Sequence, residues 1–496
     1  MGKKIIDDDI VQVHRYENGK STTDLIATLM WGDEIKVTGQ DAKNYILDWA
    51  QQKWEKQADG KTRPHWEFFQ AAVPIKTKLC DTSAILKVRI VDVGVGDSAI
   101  IETPAKKMVI VDGGQTEALR QYMQKAWAYI LRENSVPCEA VVITHGDLDH
   151  IVGFHELLSQ RRFDEQNHLT SEPMLKVERI YHNGLVKRTG LDDDDPALFG
   201  EYTTKDGKQY IREIVEDPRN LPDNVLPKTM QDWKTDIDFQ AGKNPNLVCR
   251  NLLAGDAQAF QFTQNEGISI EVLGPLTENI DGQELLPWLH KSPNSNSLSG
   301  SHTINGNSVI LKLTYGQVRF FFGADLNRES ELRLMNTYPK ANGKLQAEVL
   351  KAPHHGSDDY VDEFFDFVQP VVSVISSGDD DPFYEHIHPR ACMVGTLGRY
   401  SRAGVTRPLI FVTEMSAFFE KIGIAFVTKA KKVKGVQVPD TKTEYLEPQT
   451  YKKTCHGIVH LRTDGKRVLV AAHSAKPGQK EKYVFTVDTN HHVDLK

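Results

Sequence analysis

Thr144-His145-Gly146-Asp147-Leu148-Asp149-His150 places four metal-competent side chains, His145, Asp147, Asp149 and His150, within six residues. Capping a helix would explain one aspartate but not the set. The residues before it, Ala140-Val141-Val142-Ile143, form a short apolar run of the kind found in strands buried on both faces. The residues after it, Ile151 to Leu158, read as the start of a helix. A tight turn between strand and helix can converge all four side chains on one point, at the sheet end where α/β proteins place their sites. Nitrogen and oxygen donors at such a point suit divalent ions that share a water and clamp a substrate oxygen.

The surrounding elements are those of an α/β chain. Strands are expected at Ile85 to Val93, Ser98 to Glu102, Met108 to Val111, Ser308 to Thr314, Val318 to Phe322, Glu348 to Ala352 and Val371 to Ser376. Helical spacing marks Thr116 to Arg132, Arg328 to Asn336 and Tyr360 to Phe367. Residues 1–80 read as a small β-rich unit with a helix over 41–57, whose apolar positions are Tyr45, Ile46, Trp49 and Trp54. Residues 81–407 form the central domain, with an insertion over about 160–295. Residues 408–496 form a β-rich C-terminal unit, with a hairpin turn at Thr463-Asp464-Gly465-Lys466. The acidic run Asp192 to Asp195 lacks the spacing and glycine of a calcium loop and reads as solvated.

Further motifs follow in order: Asp92-Val93-Gly94-Val95-Gly96-Asp97-Ser98, Asp112-Gly113-Gly114, Phe322-Gly323-Ala324-Asp325, Leu350-Lys351-Ala352-Pro353-His354-His355-Gly356-Ser357, and Ile375-Ser376-Ser377-Gly378 with His388-Pro389. The first lacks the Lys-Ser/Thr of a phosphate-binding loop, so it reads as a strand turn where glycine lets backbone come close, and Ser98 is not needed as a nucleophile. This ordered set, over about residues 85–400, resembles the metallo-β-lactamase superfamily, whose hallmark is His-x-His-x-Asp-His. Asp147 stands where the second histidine would be. The His-x-Asp-x-Asp-His form is similar to the hydrolase domain of ComEC/Rec2 DNA-uptake proteins and their standalone relatives.

The resemblance implies a metallo-β-lactamase αββα sandwich carrying two divalent ions. It assigns His145 and Asp147 to a first metal position, Asp149 and His150 to a second, and Asp325 to the bridge between them. His354, His355 and His388 are the later histidines; His354 and His388 are expected in the metal shell, and Asp149 and His355 in catalysis. Where the superfamily often has a further histidine ligand, this chain offers Asn307, with His302 nearby. Asp147 enriches the site in hard oxygen donors, so zinc and manganese stand level as the expected ions.

Arg399, Arg402 and Arg407 follow the last motif and suit phosphate, which arginine grips bidentately. Lys429, Lys431, Lys432 and Lys434 read equally as surface charge. The resemblance implies hydrolysis by a metal-bound hydroxide, with nucleic acid or another phosphodiester as substrate. Small phosphodiesters, such as choline phosphate esters, are the alternative within the same chemistry. A catalytically weak regulatory subunit of a multi-protein, for instance bacterial defence, system is the alternative outside it, with partners held by the terminal units.

Composition narrows the field. The chain has 496 residues, net charge −8 and 40% hydrophobic residues, with a mean hydropathy of −0.43. A globally basic nucleic-acid binder is excluded; a local groove is not. No apolar run approaches the roughly 20 residues of a membrane span, and the N-terminus turns acidic at Asp7-Asp8-Asp9. Cys80, Cys138, Cys249, Cys392 and Cys455 are scattered without short-spaced pairs. Reduced thiols and a cytoplasmic location without membrane association are expected.

Overall fold

Strand Ala140–Ile143 runs between parallel neighbours, Met108–Val111 on one side and Arg179–His182 on the other. Its side chains alternate: Ala140 and Val142 face a second sheet, while Val141 and Ile143 face outer helices. That double burial explains a strand without polar residues. The computed structural model containing it describes residues 2–495 apart from 57–61, 167, 292–294, 296, 379–387, 415–423, 434–435, 446–456 and 474–479.

Two sheets pack face to face. The first runs Val248–Asn251, Arg179–His182, Ala140–Ile143, Met108–Val111, Ala99–Glu102, Leu86–Ile90, Val459–Thr463, Arg467–His473, Lys480–Val487 and Val493–Leu495. The second runs Ile268–Gly274, Ile310–Tyr315, Val318–Phe322, Val349–Lys351, Val372–Ile375 and Leu409–Val412. Their inner faces share one core, which includes Val88, Ile101, Val109 and Val142 from one sheet and Leu311, Phe320, Val349 and Val372 from the other. Helices Ala118–Ala126, Leu148–Leu158 and Lys228–Lys243 cover the outside of the first sheet, and Arg328–Thr337, Asp362–Val368 and Ala391–Arg399 that of the second. This is an α/β sandwich in αββα order with β-rich terminal segments.

Three expectations need correction. Residues 44–56 are a strand, not a helix: Asn44–Lys56 pairs with Thr62–Pro74 from Asn44↔Pro74 to Lys56↔Thr62. Apolar residues on both faces of a strand mimic helical spacing, and cross-strand pairing decided the outcome. The Trp54 side chain lies outside the described residues. The stretch 160–295 is only partly an insertion, because Arg179–His182 and Val248–Asn251 widen the first sheet and Ile268–Gly274 opens the second. What stands outside the sandwich is a four-stranded sheet (Tyr202–Lys205, Lys208–Ile211, Gln283–Pro287 and Glu278–Ile280) with its own small core of Leu185, Leu198, Phe199, Ile211, Leu286, Trp288 and Ile304. The C-terminal segment is β-rich, but its strands from Val459 onward join the first sheet through Leu86–Ile90, so position 408 bounds no separate body.

Residues 1–80 form a seven-stranded sheet with a core of Ile6, Val13, Val37, Leu47 and Val73. It is bolted to the sandwich by charge. Arg462 donates to Asp33 (2.8 Å), and Lys87 lies 3.6 Å from the same carboxylate. Trp66 also donates to the Asp164 carbonyl (3.1 Å). Asp193, in the acidic run, is not idle: its carboxylate accepts from Ser299 Oγ (2.8 Å), Ser301 N (2.9 Å) and Ser301 Oγ (2.9 Å), fixing the start of helix Gly300–Gly306. No helix among the described residues is long and apolar enough to cross a membrane.

Outer helices Leu148–Leu158 and Lys228–Lys243 meet at a buried carboxylate. Asp236 is fully buried and faces His155 Nδ1 with both oxygens (2.9 and 3.0 Å). Burial pushes its pKa up to about 7, with His155 opposing the shift only in part. A folded-state pKa above the unfolded value means that the folded state binds more protons in between, so stability falls as pH rises from about 4 to about 7. Asp236→Asn should flatten that slope and stabilise the protein above pH 7 by on the order of 1 kcal/mol. Thermal melts at pH 5 and pH 8 check it; an unchanged slope would contradict it.

Candidate metal centre

The turn after Ala140–Ile143 brings Asp149 and His150 into one donor cluster and sets His145 and Asp147 beside it. Asp147 precedes helix Leu148–Leu158, Asp149 and His150 lie in its first turn, and His145 packs beside His150 with ring centroids 4.0 Å apart. The opposite wall comes from the second sheet. Asp325 follows strand Val318–Phe322, and His355 follows Val349–Lys351. Ligand atoms of Asp149, His150, Asp325 and His355 all lie within 4.8 Å of one another. Asp325 Oδ2 is 3.3 Å from His150 Nε2, 3.3 Å from His355 Nε2 and 3.9 Å from His145 Nε2. His355 Nε2 is 3.1 Å from Asp149 Oδ2, and His145 Nε2 is 3.9 Å from Asp147 Oδ2. Asp325 Oδ2 therefore faces three imidazole nitrogens together, those of His145, His150 and His355.

The donors fit divalent cations on their own evidence. His150 Nε2, His355 Nε2 and Asp325 Oδ1 are buried without a hydrogen-bond partner. Such atoms are costly unless something fills the space between them. Burial alone would lower the pKa values of His150 and His355, but Asp325 with Asp112 and Asp149 around the first, and with Asp97 around the second, outweighs it and holds both well above the usual imidazole range. Burial works in the same way against Asp325, and His355 and His150 reverse it, holding that carboxyl far below its usual value. Ions bound there would displace those protons, because ligating imidazoles must give up the proton on the ligating nitrogen. His145, with burial dominant and His150 adding to it, is lowered and stays neutral.

A second layer orients the imidazoles. Asp112 Oδ2 lies 2.9 Å from His150 Nδ1 and accepts from Thr144 Oγ1 (2.8 Å), while its Oδ1 accepts from Thr144 N (2.8 Å). His355 Nδ1 lies 3.1 Å from both Asp97 Oδ1 and the Ser376 carbonyl, and Lys351 holds Asp97 in turn. Carboxylates behind imidazoles fix the tautomer that leaves Nε2 free for a cation. Gly96 brings Asp97 in: at φ +108° it lies so close to Asp149 that a Cβ would sit 2.0 Å from the Asp149 carbonyl oxygen. The glycine-rich turn thus approaches the site as its sequence suggests.

Other expected residues fall elsewhere. His355 enters the donor cluster, whereas His354 stands beside it, with its ring 6.3 Å from His355 and 6.2 Å from His388. His388 is 6.4 Å from His355, ring to ring. Both chain histidines of the pair are in left-handed backbone (φ 47° and 51°), which splays their side chains apart. Asn307 is held in the cap, where its Nδ2 donates to the carbonyls of Pro287 (3.1 Å) and Thr303 (2.9 Å) and its Oδ1 is buried without a hydrogen-bond partner. His302 pairs with Asp359 (3.5 Å). Arg402 is structural: its guanidinium is buried against Glu348 and donates to the carbonyls of Gln369 (3.1 Å) and Ala347 (3.0 Å). Arg399 is exposed and lies 4.0 Å from Asp362. The lysines Lys429, Lys431, Lys432 and Lys434 have side chains outside the described residues.

Two site neighbours carry no local sequence signal. Lys187 donates to Asp147 Oδ1 (2.8 Å), and Asn305 lies against His145 and Asp147. Both come from the cap beside the small core containing Leu185 and Ile304. Asp97 and Lys351 were more legible: a lysine ending the apolar strand Val349–Lys351 asks for a buried partner.

This sandwich carries a donor cluster that could hold a metal ion. Residues 91–213 match the family model of the Metallo-beta-lactamase superfamily. The ComE operon protein 3 of Bacillus subtilis (strain 168) is 28% identical over 333 residues, covering 64% of this chain and 31% of that protein. The chain thus spans about a third of the length of the relative it matches. The chain is similar to the Metallo-beta-lactamase superfamily over residues 91–213 and to the ComE operon protein 3 over 333 residues, and its αββα order is consistent with that likeness.

Proposed function

We propose that the protein hydrolyses phosphodiester bonds, with polynucleotides as the first substrate class to test. The observation that carries this reading is Lys187 beside an oxygen-rich donor set: an ammonium 2.8 Å from Asp147, its side chain 28% exposed, at the open edge of the cluster. Divalent ions held there would supply a water activated at neutral pH and a Lewis-acid clamp on a phosphoryl oxygen. The chain's own residues do the rest. Asp325 spans the two donor groups. Asp149, 3.1 Å from His355 Nε2, is placed to take a proton from the attacking water, with His355 held by Asp97 behind it. Lys187 offers a point charge to an anionic substrate. The resemblance of the motif set to DNA-uptake hydrolase domains supports polynucleotides over lactones.

The test is hydrolysis of bis(p-nitrophenyl) phosphate, single-stranded DNA and double-stranded DNA by protein loaded with manganese or zinc. Cleavage of DNA supports the reading; cleavage of the small diester alone moves the substrate to small phosphodiesters; hydrolysis of neither, by protein holding two ions, overturns it. Within this reading Lys187→Met should raise KM for the small diester about tenfold or more, since hydrogen bonds to charged groups contribute about 1.5–3 kcal/mol. It should leave kcat nearly unchanged, whereas an unaltered KM would remove Lys187 from substrate binding.

A further inference from the structure

Asn305 turns one branch of its side-chain amide toward His145 and Asp147. That branch lies 3.0 Å from Asp147 Oδ2, 3.3 Å from His145 Nε2 and 3.3 Å from the Ser301 carbonyl oxygen. Without an ion, hydrogen bonding favours NH2 there, which donates to all three and satisfies the other branch as well; as C=O the branch faces three acceptors, which is tolerable only with a cation among them. The separations matter. Ligand atoms bound about 2.1 Å from one ion stand about 3.0–3.4 Å apart in octahedral or tetrahedral geometry. The Asn305 branch meets that spacing with both of its side-chain neighbours, while His145 Nε2 stands wider, 3.9 Å, from both Asp147 Oδ2 and Asp325 Oδ2.

We propose that Asn305 is a ligand of the first metal position, through its amide oxygen, and that the amide turns over when the ion binds. This rests on the reading that the cluster holds divalent ions, not on the substrate. His145 Nε2, Asp147 Oδ2, Asp325 Oδ2 and Asn305 Oδ1 make one nitrogen and three oxygens. The second position, with His150, His355, Asp149 and Asp325, has two nitrogens and two oxygens. The two positions therefore differ in hardness: the first favours manganese or magnesium, and the second accepts zinc more readily. Asn305 can turn without moving its backbone, because helix Gly300–Gly306 is fixed at its start by Asp193 and packs Ile304 into the cap core.

The experiment strips the full-length chain of metal and titrates it with manganese and zinc separately. Ions per chain are counted after gel filtration, and stepwise affinities are measured against a chromophoric chelator. The wild type should bind two ions with distinct affinities. Asn305→Ala should keep the second position and weaken manganese at the first at least about tenfold, the scale of losses at metal-site partners. Asn305→Asp, nearly isosteric, should restore it. Asn305→His should swing the first position toward zinc over manganese by about tenfold or more relative to wild type. If Asn305→Ala fails to fold, the zinc-to-manganese ratio in Asn305→His decides. Wild-type affinities in Asn305→Ala, an unmoved ratio in Asn305→His, or fewer than two ions in the wild type would each overturn the inference. A wild type that binds two ions and cleaves no phosphodiester leaves it standing and removes only the substrate reading.

Discussion

Asp325→Asn is expected to cut phosphodiester hydrolysis by about a thousandfold or more and to lower metal occupancy below two per chain. Asparagine keeps the shape but offers one neutral oxygen where Asp325 faces His145, His150 and His355 together. Lewis-acid and nucleophile-generating roles are worth several kcal/mol of transition-state stabilisation, and each 1.4 kcal/mol or so is a decade in rate. Losing the bridge removes the charge that holds two ions close, so the two readouts must fall together. Activity within tenfold of wild type at full metal would mean that Asp325 does not span the two positions.

Glu348→Ala should destabilise the fold by about 3–5 kcal/mol, because it leaves two buried guanidiniums without their carboxylate. Glu348 is fully buried. It accepts from Arg319 N (2.7 Å), Nε (3.1 Å) and Nη2 (2.6 Å), and from Arg402 Nη1 (2.5 Å). Its own burial would raise its pKa, but Arg319 and Arg402 keep it lowered and ionised. At about 2–4 °C per kcal/mol for a domain of this size, thermal melts of the metal-free protein should shift by roughly 6–20 °C. A loss under about 1 kcal/mol would show that the cluster does not hold the ends of the second sheet's inner strands together. The same geometry makes Arg402→Met a stability variant; a change in KM alone would return Arg402 to the substrate.

The site was legible where chemistry is written in contiguous residues. His145 to His150 lie in one turn, and Asp325 and His355 each follow a strand whose apolar run marks its end. Sequence spacing could not choose between His354 and His355, since neighbouring residues differ only in the backbone angles that aim them. Nor could it tell Asn305 from Asn307: the first, in helix Gly300–Gly306, lies against His145 and Asp147, and the second, just past that helix, donates to the carbonyls of Pro287 and Thr303. Arg402 misled for a related reason: a guanidinium suits phosphate and a buried glutamate equally, and only packing shows Glu348 beside it. Of the fold, the alternating strands and outer helices of residues 85–400 were readable. The route of the last strands back to Leu86–Ile90 was not, because pairing over more than 350 residues of chain leaves no local trace.

The central claim is that this cluster holds the ions that make the protein a hydrolase. The most direct measurement strips the metal, confirms an intact fold, and follows hydrolysis of bis(p-nitrophenyl) phosphate as manganese or zinc is restored, with Asp149→Ala beside the wild type. The account predicts no turnover without metal, recovery in step with occupancy up to two ions per chain, and none at any occupancy in Asp149→Ala. Turnover that persists in the stripped protein, or that recovers equally in Asp149→Ala, would contradict it.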